Sequence, residues 1–254
     1  MAVQDATGDA ELGTGRAHRH TSDPTRAGSF TLRLRAAAEY GDRAMTRILL
    51  VRHGESIWNA DGRWQGQADP ELSDRGRRQA AEAASALGAL DAIVTSDLIR
   101  AADTASIVAR ELGVEEVAVE PGLRERDAGP LSGLDRAQIH QQFPGLLVDD
   151  PAGYVPGDDG KPRWPKGFES DDHLWARVEV ALLALGRLVP DGDVVAVTHS
   201  GVMYSVERRL GAKGRPRLAN LDGSWITVER DRLAIGERIS LIESAPEVSE
   251  PDRI

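Results

Sequence analysis

From residue 46 onward, short apolar runs of strand length alternate with longer segments whose apolar residues recur at helical spacing. That alternation points to an α/β domain on a mainly parallel sheet, because each crossover helix returns the chain to start another strand in the same direction. The first strand is read at residues 47–51. Ser73 is placed as the cap of a helix that buries Ala80, Ala83, Ala84 and Leu87 and stops at Gly88. A strand at 92–95 follows, then a helix capped by Asp97, with Leu98, Ala101, Ala105, Val108 and Leu112 on one face and Gly113 as its stop. Strands at 116–119 and 193–198 flank a long helix that starts from Ser170 and carries Leu174, Val178, Leu182, Leu185 and Val189. Another helix runs on to about Leu210, and two late strands, 224–229 and 233–240, read as a hairpin around Arg230, Asp231 and Arg232.

Residues 1–44 are rich in Gly, Asp, Thr, Ala and Arg without a sustained period, so they are read as a disordered extension with one short candidate helix at 30–40. Met45 stands directly before the first strand and is an alternative translation start. The domain is placed at 45–242, with a polar tail at 243–254. Residues 144–168 are crowded with Pro, Gly and Asp, and this long excursion marks a cap insertion at about 140–170.

With 254 residues and 41% hydrophobic content, the chain can bury a full core. Its net charge of -10 sets up a field that repels polyanions, which argues against nucleic acid and anionic membranes while leaving room for a local cationic site. No cysteine is present, so thiol nucleophiles, disulfides and thiolate metal sites are excluded. No stretch reaches the roughly 20 apolar residues of a membrane span, and the N-terminus lacks the basic and apolar regions of a secretory signal. A soluble cytoplasmic protein is expected, with monomer and homodimer both open.

Ligands of parallel sheets sit outside the carboxyl ends of the strands. Arg52 and His53 close the first strand, Arg100 lies one turn into the helix after the second, Glu125 follows the third by a short loop, and His199 closes the fourth. Two Arg, two His and one Glu are thus gathered on one rim, with Gly54 expected to permit a sharp turn after His53. Guanidiniums donate in a planar fork that suits a phosphoryl group, and nearby helix N-termini add backbone donors. A cation in a helix's first turn opposes the helix dipole, which is easier to understand for Arg100 if an anion sits there. Without cysteine, and with no base evident beside Ser56, His53 is the best nucleophile toward phosphorus, and its cationic neighbours favour the neutral ring. A carboxyl of raised pKa can protonate the leaving oxygen. Glu125 is the candidate, although Glu120, Glu125 and Asp127 all lie near Arg124 and Arg126 and one of them could be a salt-bridge partner.

Arg52-His53-Gly54-Glu55-Ser56 is followed by Trp58-Asn59, Gln65-Gly66, Leu72-Ser73 with Gly76, Ser96-Asp97-Leu98 with Arg100-Ala101 and Thr104-Ala105, Glu125 with Gly129, Leu131 and Gly133, and Thr198-His199-Ser200-Gly201. In this order, over about residues 46–240, the motifs resemble those of the histidine phosphatase superfamily, which includes cofactor-dependent phosphoglycerate mutase and fructose-2,6-bisphosphatase. The resemblance implies a three-layer αβα sandwich with a mainly parallel central sheet and a small cap insertion. It also implies a transient phosphohistidine on His53, with Arg52, Arg100 and His199 holding the phosphoryl oxygens and with phosphate contacts from Asn59, Gln65, Gly66 and Ser200. Ser56 is a further candidate contact, though short polar residues at such turns, Ser56 and Asn59 included, often only satisfy the backbone. Glu125 would act as acid and then as base toward water. No metal or other cofactor is implied, and the partner is a small-molecule phosphomonoester.

Compared with phosphoglycerate mutases, the interval from Glu125 to His199 is shorter, Ala128 stands where a Tyr would follow the acid, and no Arg-Arg pair lies between them. These differences favour a phosphatase that lets water take the phosphoryl group. A 2,3-bisphosphoglycerate-dependent mutase with an unusual cap and a non-catalytic phosphate-binding protein are the alternatives. A zinc site from His53, Glu55 and His199 has no His-x-x-x-His spacing behind it. In the cap, Lys161, Arg163, Trp164 and Lys166 could meet a second acidic or sugar group, or could belong to a solubilised loop. His18 and His20 are assigned no role.

Overall fold

The computed structural model describes residues 45–148, 163–212 and 214–243. The expected extension at 1–44 with His18, His20 and its candidate helix, the cap segment 149–162 with Lys161, and residues 244–254 of the tail lie outside the described residues.

Strand β1 (Met45–Arg52) buries Ile48, Leu49, Leu50 and Val51 almost completely, as a strand covered on both faces must. The other strands are β2 (Ala92–Thr95), β3 (Val117–Val119), β4 (Asp193–Thr198), β5 (Asp222–Glu229) and β6 (Arg232–Ser240). They form one sheet in the order β3-β2-β4-β1-β5-β6. The β3-β2, β2-β4 and β4-β1 pairs are parallel, and β5 and β6 add an antiparallel edge. Arg230 and Asp231, both at positive φ, make the tight turn between those two edge strands.

The helices are α1 (Ile57–Ala60), α2 (Asp74–Ala84), α3 (Ile99–Leu112), α4 (Arg136–Gln142), α5 (Asp171–Leu188) and α6 (Ser200–Arg209). Alternate residues of β1 face opposite layers. Leu49 and Val51 pack with Ala83 and Ala84 of α2 and with Ala101, Ala105 and Val108 of α3. On the other face, Thr46 Oγ1 donates to Gly186 O of α5 (3.0 Å) and to Val189 O (2.8 Å), so α5 covers that side. Trp64, Ala128, Leu131, Ile139, Leu146 and Leu147 form a smaller apolar cluster under the start of the cap, with Trp164 and Phe168 packed against it.

Three local expectations are corrected. Asp97 does not cap α3, because Arg124 Nε donates to its Oδ1 (2.9 Å) and a second guanidinium nitrogen engages Oδ2, which holds the Asp97 carboxyl below its ordinary range. The N-cap is Leu98, and Asp69 Oδ1 supplies the missing acceptor to Ile99 N (2.7 Å) from a separate loop. Helix α2 ends at Ala84, before Gly88, as the bonds from Ala86 N to Ala83 O and from Leu87 N to Ala84 O tighten its last turn. Gly54 serves a close approach and not a turn of unusual φ: a Cβ there would lie 2.6 Å from Gly76 O, and one on Gly76 would lie 2.0 Å from Glu55 O. Helix α4 was not expected, although Asp135 and Gln138 form the reciprocal capping box that marks its start.

Candidate active site

The carboxyl ends of β1 and β4 are stitched together by a bond from His53 N to Thr198 O (2.9 Å), which sets His53 and His199 side by side. Their rings lie 5.2 Å apart between centroids. Asn220 Nδ2 donates to His53 O (2.9 Å), and Gly54 N donates to Thr104 Oγ1 (3.1 Å), so the peptide after the His53 Cα is pinned as the His53 N–H before it is by Thr198. At the ring, Nδ1 lies 2.6 Å from Gly54 O, a carbonyl that can only accept. Nδ1 therefore carries the hydrogen and Nε2 keeps a lone pair, toward which Arg100 Nε points at 3.2 Å.

Two fully buried guanidiniums would destabilise this edge by roughly several kcal/mol each without compensation. Arg100 Nη1 donates to Ala68 O (2.8 Å) and Nη2 to Gly66 O (2.8 Å), while Arg52 Nη1 donates to Leu218 O (2.8 Å). Carbonyl acceptors stabilise a buried cation without carrying a charge of their own. Gly66 has φ +52°, and a Cβ there would meet Ala128 N at 2.7 Å; glycine is thus needed where the chain presents that carbonyl.

Glu125 reaches the same site from the loop after β3. Its Oε1 accepts from Arg126 N (2.6 Å), and its Oε2 accepts from Gly201 N at the start of α6 (3.1 Å). Ser200 Oγ lies 3.5 Å from Oε2. A Cβ on Gly201 would come within 2.3 Å of the carboxylate, so the glycine is what admits it. The Glu125 carbonyl accepts from Gln67 Nε2 (3.0 Å) and from Arg177 Nη2 (2.9 Å). Arg177, on α5, also donates to Gly122 O and Arg124 O and pairs with Glu169, so one guanidinium braces the whole loop.

Of the residues expected at the site, His53, Gln65, Gly66, Arg100, Glu125 and Ser200 line one cavity. Arg52, Ser56, Asn59 and His199 are buried but fall outside its lining. Ser56 and Asn59 form a capping box at α1, with Asn59 N donating to Ser56 Oγ (3.0 Å) and Ser56 N to Asn59 Oδ1 (3.2 Å). Ser56 Oγ in turn donates to Gln65 Oε1 (2.8 Å), which sets the Gln65 amide with its donor end on the opposite side. His199 Nε2 lies 2.8 Å from Ser96 Oγ, and His199 Nδ1 is buried without a hydrogen-bond partner. Glu55 is held by Ser73 Oγ (2.7 Å) and Arg75, which removes it from any shared site with the two histidines. Among the described residues, no group of three or more His, Asp or Glu is placed to hold a metal ion.

Trp64, Arg126, Ala128 and Gly201 complete the lining and were not singled out as site residues from the sequence. Trp64 and Arg126 directly adjoin motif residues, and that adjacency was the available signal. Arg177 and Asn220 gave none: one reads as a solvated helix position, the other as a loop amide. In the cap, Trp164 stacks on Phe168 (4.4 Å between centroids), whereas Arg163 and Lys166 are exposed.

Burial above all, then the charges of Arg100 and Arg52, holds the His53 pKa well below the ordinary 6.5. His199 is lowered in the same direction, first by burial and then by Arg100 and His53. Both rings are therefore neutral in the folded protein where they would be protonated in the unfolded chain, so the unfolded state binds more protons as pH drops below about 6.5. Stability should fall with pH there, by up to about 1.4 kcal/mol per pH unit for each ring. Thermal melts from about pH 7 to about pH 5 check this: a declining melting temperature is expected, and a flat one would contradict neutral buried imidazoles.

A profile of the histidine phosphatase superfamily (branch 1) matches residues 48–235. The chain is 37% identical over 169 residues to a metal-independent phosphoserine phosphatase of Arabidopsis thaliana, covering 65% of this chain and 69% of that protein. It is 36% identical over 217 residues to a probable phosphoglycerate mutase of Cronobacter sakazakii, covering 82% and 96% respectively. Among solved structures, a mycobacterial glucosyl-3-phosphoglycerate phosphatase superposes with a TM-score of 0.62 at 27% identity, covering 78% of this chain and all of that one.

Proposed function

The chain belongs to the histidine phosphatase superfamily, and from that premise we propose that it is a metal-independent phosphatase that hydrolyses small-molecule phosphomonoesters through a phosphohistidine on His53. The observation that carries this reading is the state of the His53 ring: Nδ1 is bonded to Gly54 O, and the lone pair on Nε2 faces Arg100. A phosphoryl group entering the cavity takes over the Arg100 Nε–H, which bares the Nε2 lone pair toward phosphorus. Arg52, Arg100 and His199 bear the charge on the transferring oxygens, and Gln65, the Gly66 backbone and Ser200 add contacts at the rim. Ser56 and Asn59 support this site through Gln65 and the α1 cap.

In the first step the P–Nε2 bond forms as the bond to the leaving oxygen breaks, and Glu125 gives that oxygen a proton. An incoming phosphate dianion raises the proton affinity of the carboxyl beside it. In the second step Glu125 takes a proton from water, the water oxygen attacks phosphorus, the P–N bond breaks and inorganic phosphate leaves. The acidic net charge supports a small ligand over nucleic acid, and the lack of cysteine is compatible with a cytoplasmic setting.

A mutase reading draws support from the named mutase relative. Against it, Ala128 stands at the cavity wall with its Cβ beside Gly66, leaving no phenol where mutases place one. Phosphate release from a panel of phosphomonoesters, measured with excess chelator, tests the proposal. Undiminished release is expected, and loss on chelation would sink the metal-independent mechanism. With 3-phosphoglycerate and a bisphosphoglycerate primer, phosphate release should exceed formation of 2-phosphoglycerate; the reverse would establish the mutase.

A further inference from the structure

The loop that carries Glu125 has no regular secondary structure from Arg124 to Ala128, so its backbone carbonyls need partners from outside it. Thr198 Oγ1, at the end of β4, donates to Leu123 O (2.7 Å). Arg177 serves the carbonyls on both sides of that one: Nη1 donates to Gly122 O (2.9 Å) and to Arg124 O (2.5 Å), and Nη2 donates to Glu125 O (2.9 Å). The other N–H groups of the same guanidinium, on Nε and Nη2, donate to Glu169 Oε1 and Oε2, both at 2.8 Å. All five donors of the arginine are thereby used. Glu169 in turn grips the loop beyond the acid, where Asp127 N donates to its Oε2 (3.1 Å) and its own N donates to Asp127 O (2.9 Å). Burial opposes ionisation of Glu169, but the Arg177 hydrogen bonds and charge outweigh it and hold the carboxyl below its ordinary range, so the pair stays charged on both sides.

Resting on the phosphatase reading and deepening it, we propose that Arg177, locked by Glu169, is the positioning residue that aims the Glu125 carboxyl for proton transfer. Arg177 is not among the residues that line the cavity, so it acts through the peptide of Glu125 and not on substrate. The carboxylate oxygens are held by Arg126 N and Gly201 N, and the first of these donors belongs to the loop that Arg177 and Glu169 fix. An acid must lie within hydrogen-bond reach of the leaving oxygen, and a misplacement of about 1 Å costs roughly a hundredfold in rate. Lysine cannot stand in, because an ammonium offers three donors around one point and lacks the planar fork that reaches the loop and Glu169 together. Glu169 also offsets a cation that would otherwise favour loss of the proton that Glu125 has to hold.

The test is a double-mutant cycle in the full chain. Arg177→Lys is expected to lower kcat for an alkyl phosphate about tenfold to a hundredfold, while the nitrophenol burst from p-nitrophenyl phosphate, whose departure needs little acid, keeps its rate. Placed on Glu125→Gln, the same substitution should cost less than about twofold, because the proton path it serves is already gone. Glu169→Gln should follow the same pattern more weakly, and it carries the cycle if Arg177→Lys does not fold. A loss that is equal with and without the Glu125 carboxyl, or equal for both esters, is that of a merely structural residue and overturns the proposal. Amide hydrogen exchange decides it without turnover: the Arg126 and Gly201 N–H groups should exchange faster in Arg177→Lys, and unchanged exchange there overturns the positioning role. Wild type that releases no phosphate would count against the phosphatase reading alone, because exchange is read independently of chemistry.

Discussion

Replacing His53 with alanine is expected to lower kcat/KM for every phosphomonoester by at least about a thousandfold and to remove the acid-labile phosphoenzyme that wild type should form. The size follows from what the ring supplies. Its Nε2 is unprotonated and lies beside the Arg100 guanidinium, and its orientation is fixed from three sides by Gly54 O, Thr198 O and Asn220. Arg52 and Arg100 would still gather phosphate in the variant, so KM should move far less than kcat. Turnover that survives in His53→Ala would overturn the covalent mechanism.

A second large effect is expected from Glu125→Gln, about a hundredfold to ten-thousandfold in kcat for alkyl phosphates. The amide keeps an acceptor for Gly201 N or Arg126 N, so the loop should stay in place while the transferable proton is lost. The effect should depend on the leaving group. p-Nitrophenyl phosphate needs little help from an acid, so its first step should be nearly intact while hydrolysis of the phosphohistidine, which needs Glu125 as base, becomes slow. Rapid mixing should then show a burst of nitrophenol followed by a slow steady state. Equal slowing for alkyl and nitrophenyl esters without a burst would remove Glu125 from the proton path.

The parts of this molecule legible in the sequence were those set by local chemistry. Residues 48–51 and 194–197 are unbroken apolar, largely β-branched runs and became buried central strands; Ser170 caps α5 as its position before the helix implied. That His53, Arg100 and Glu125 would meet at one cavity was legible because strand ends in a parallel sheet converge whatever the loops do, whereas Arg52 and His199 are buried outside its lining. What escaped was set by contacts distant along the chain. Asp97 has the composition of a cap, yet Arg124 claims it from beyond β3. Arg177 braces the Glu125 loop from α5, and nothing in its own neighbourhood announces that. Ser56 was half legible: it lies outside the cavity lining, and its hydroxyl answers to Asn59 and to Gln65, which does line it.

The bond from Gly201 N to Glu125 makes the acid and the start of α6 one electrostatic unit. A resting carboxylate there sits at the positive end of a helix dipole. When substrate brings its phosphate dianion and Glu125 becomes protonated, the charge lost from the carboxylate offsets part of the charge that the phosphate adds near that helix end. The proton that Glu125 takes up as substrate binds is the one that it hands to the leaving oxygen.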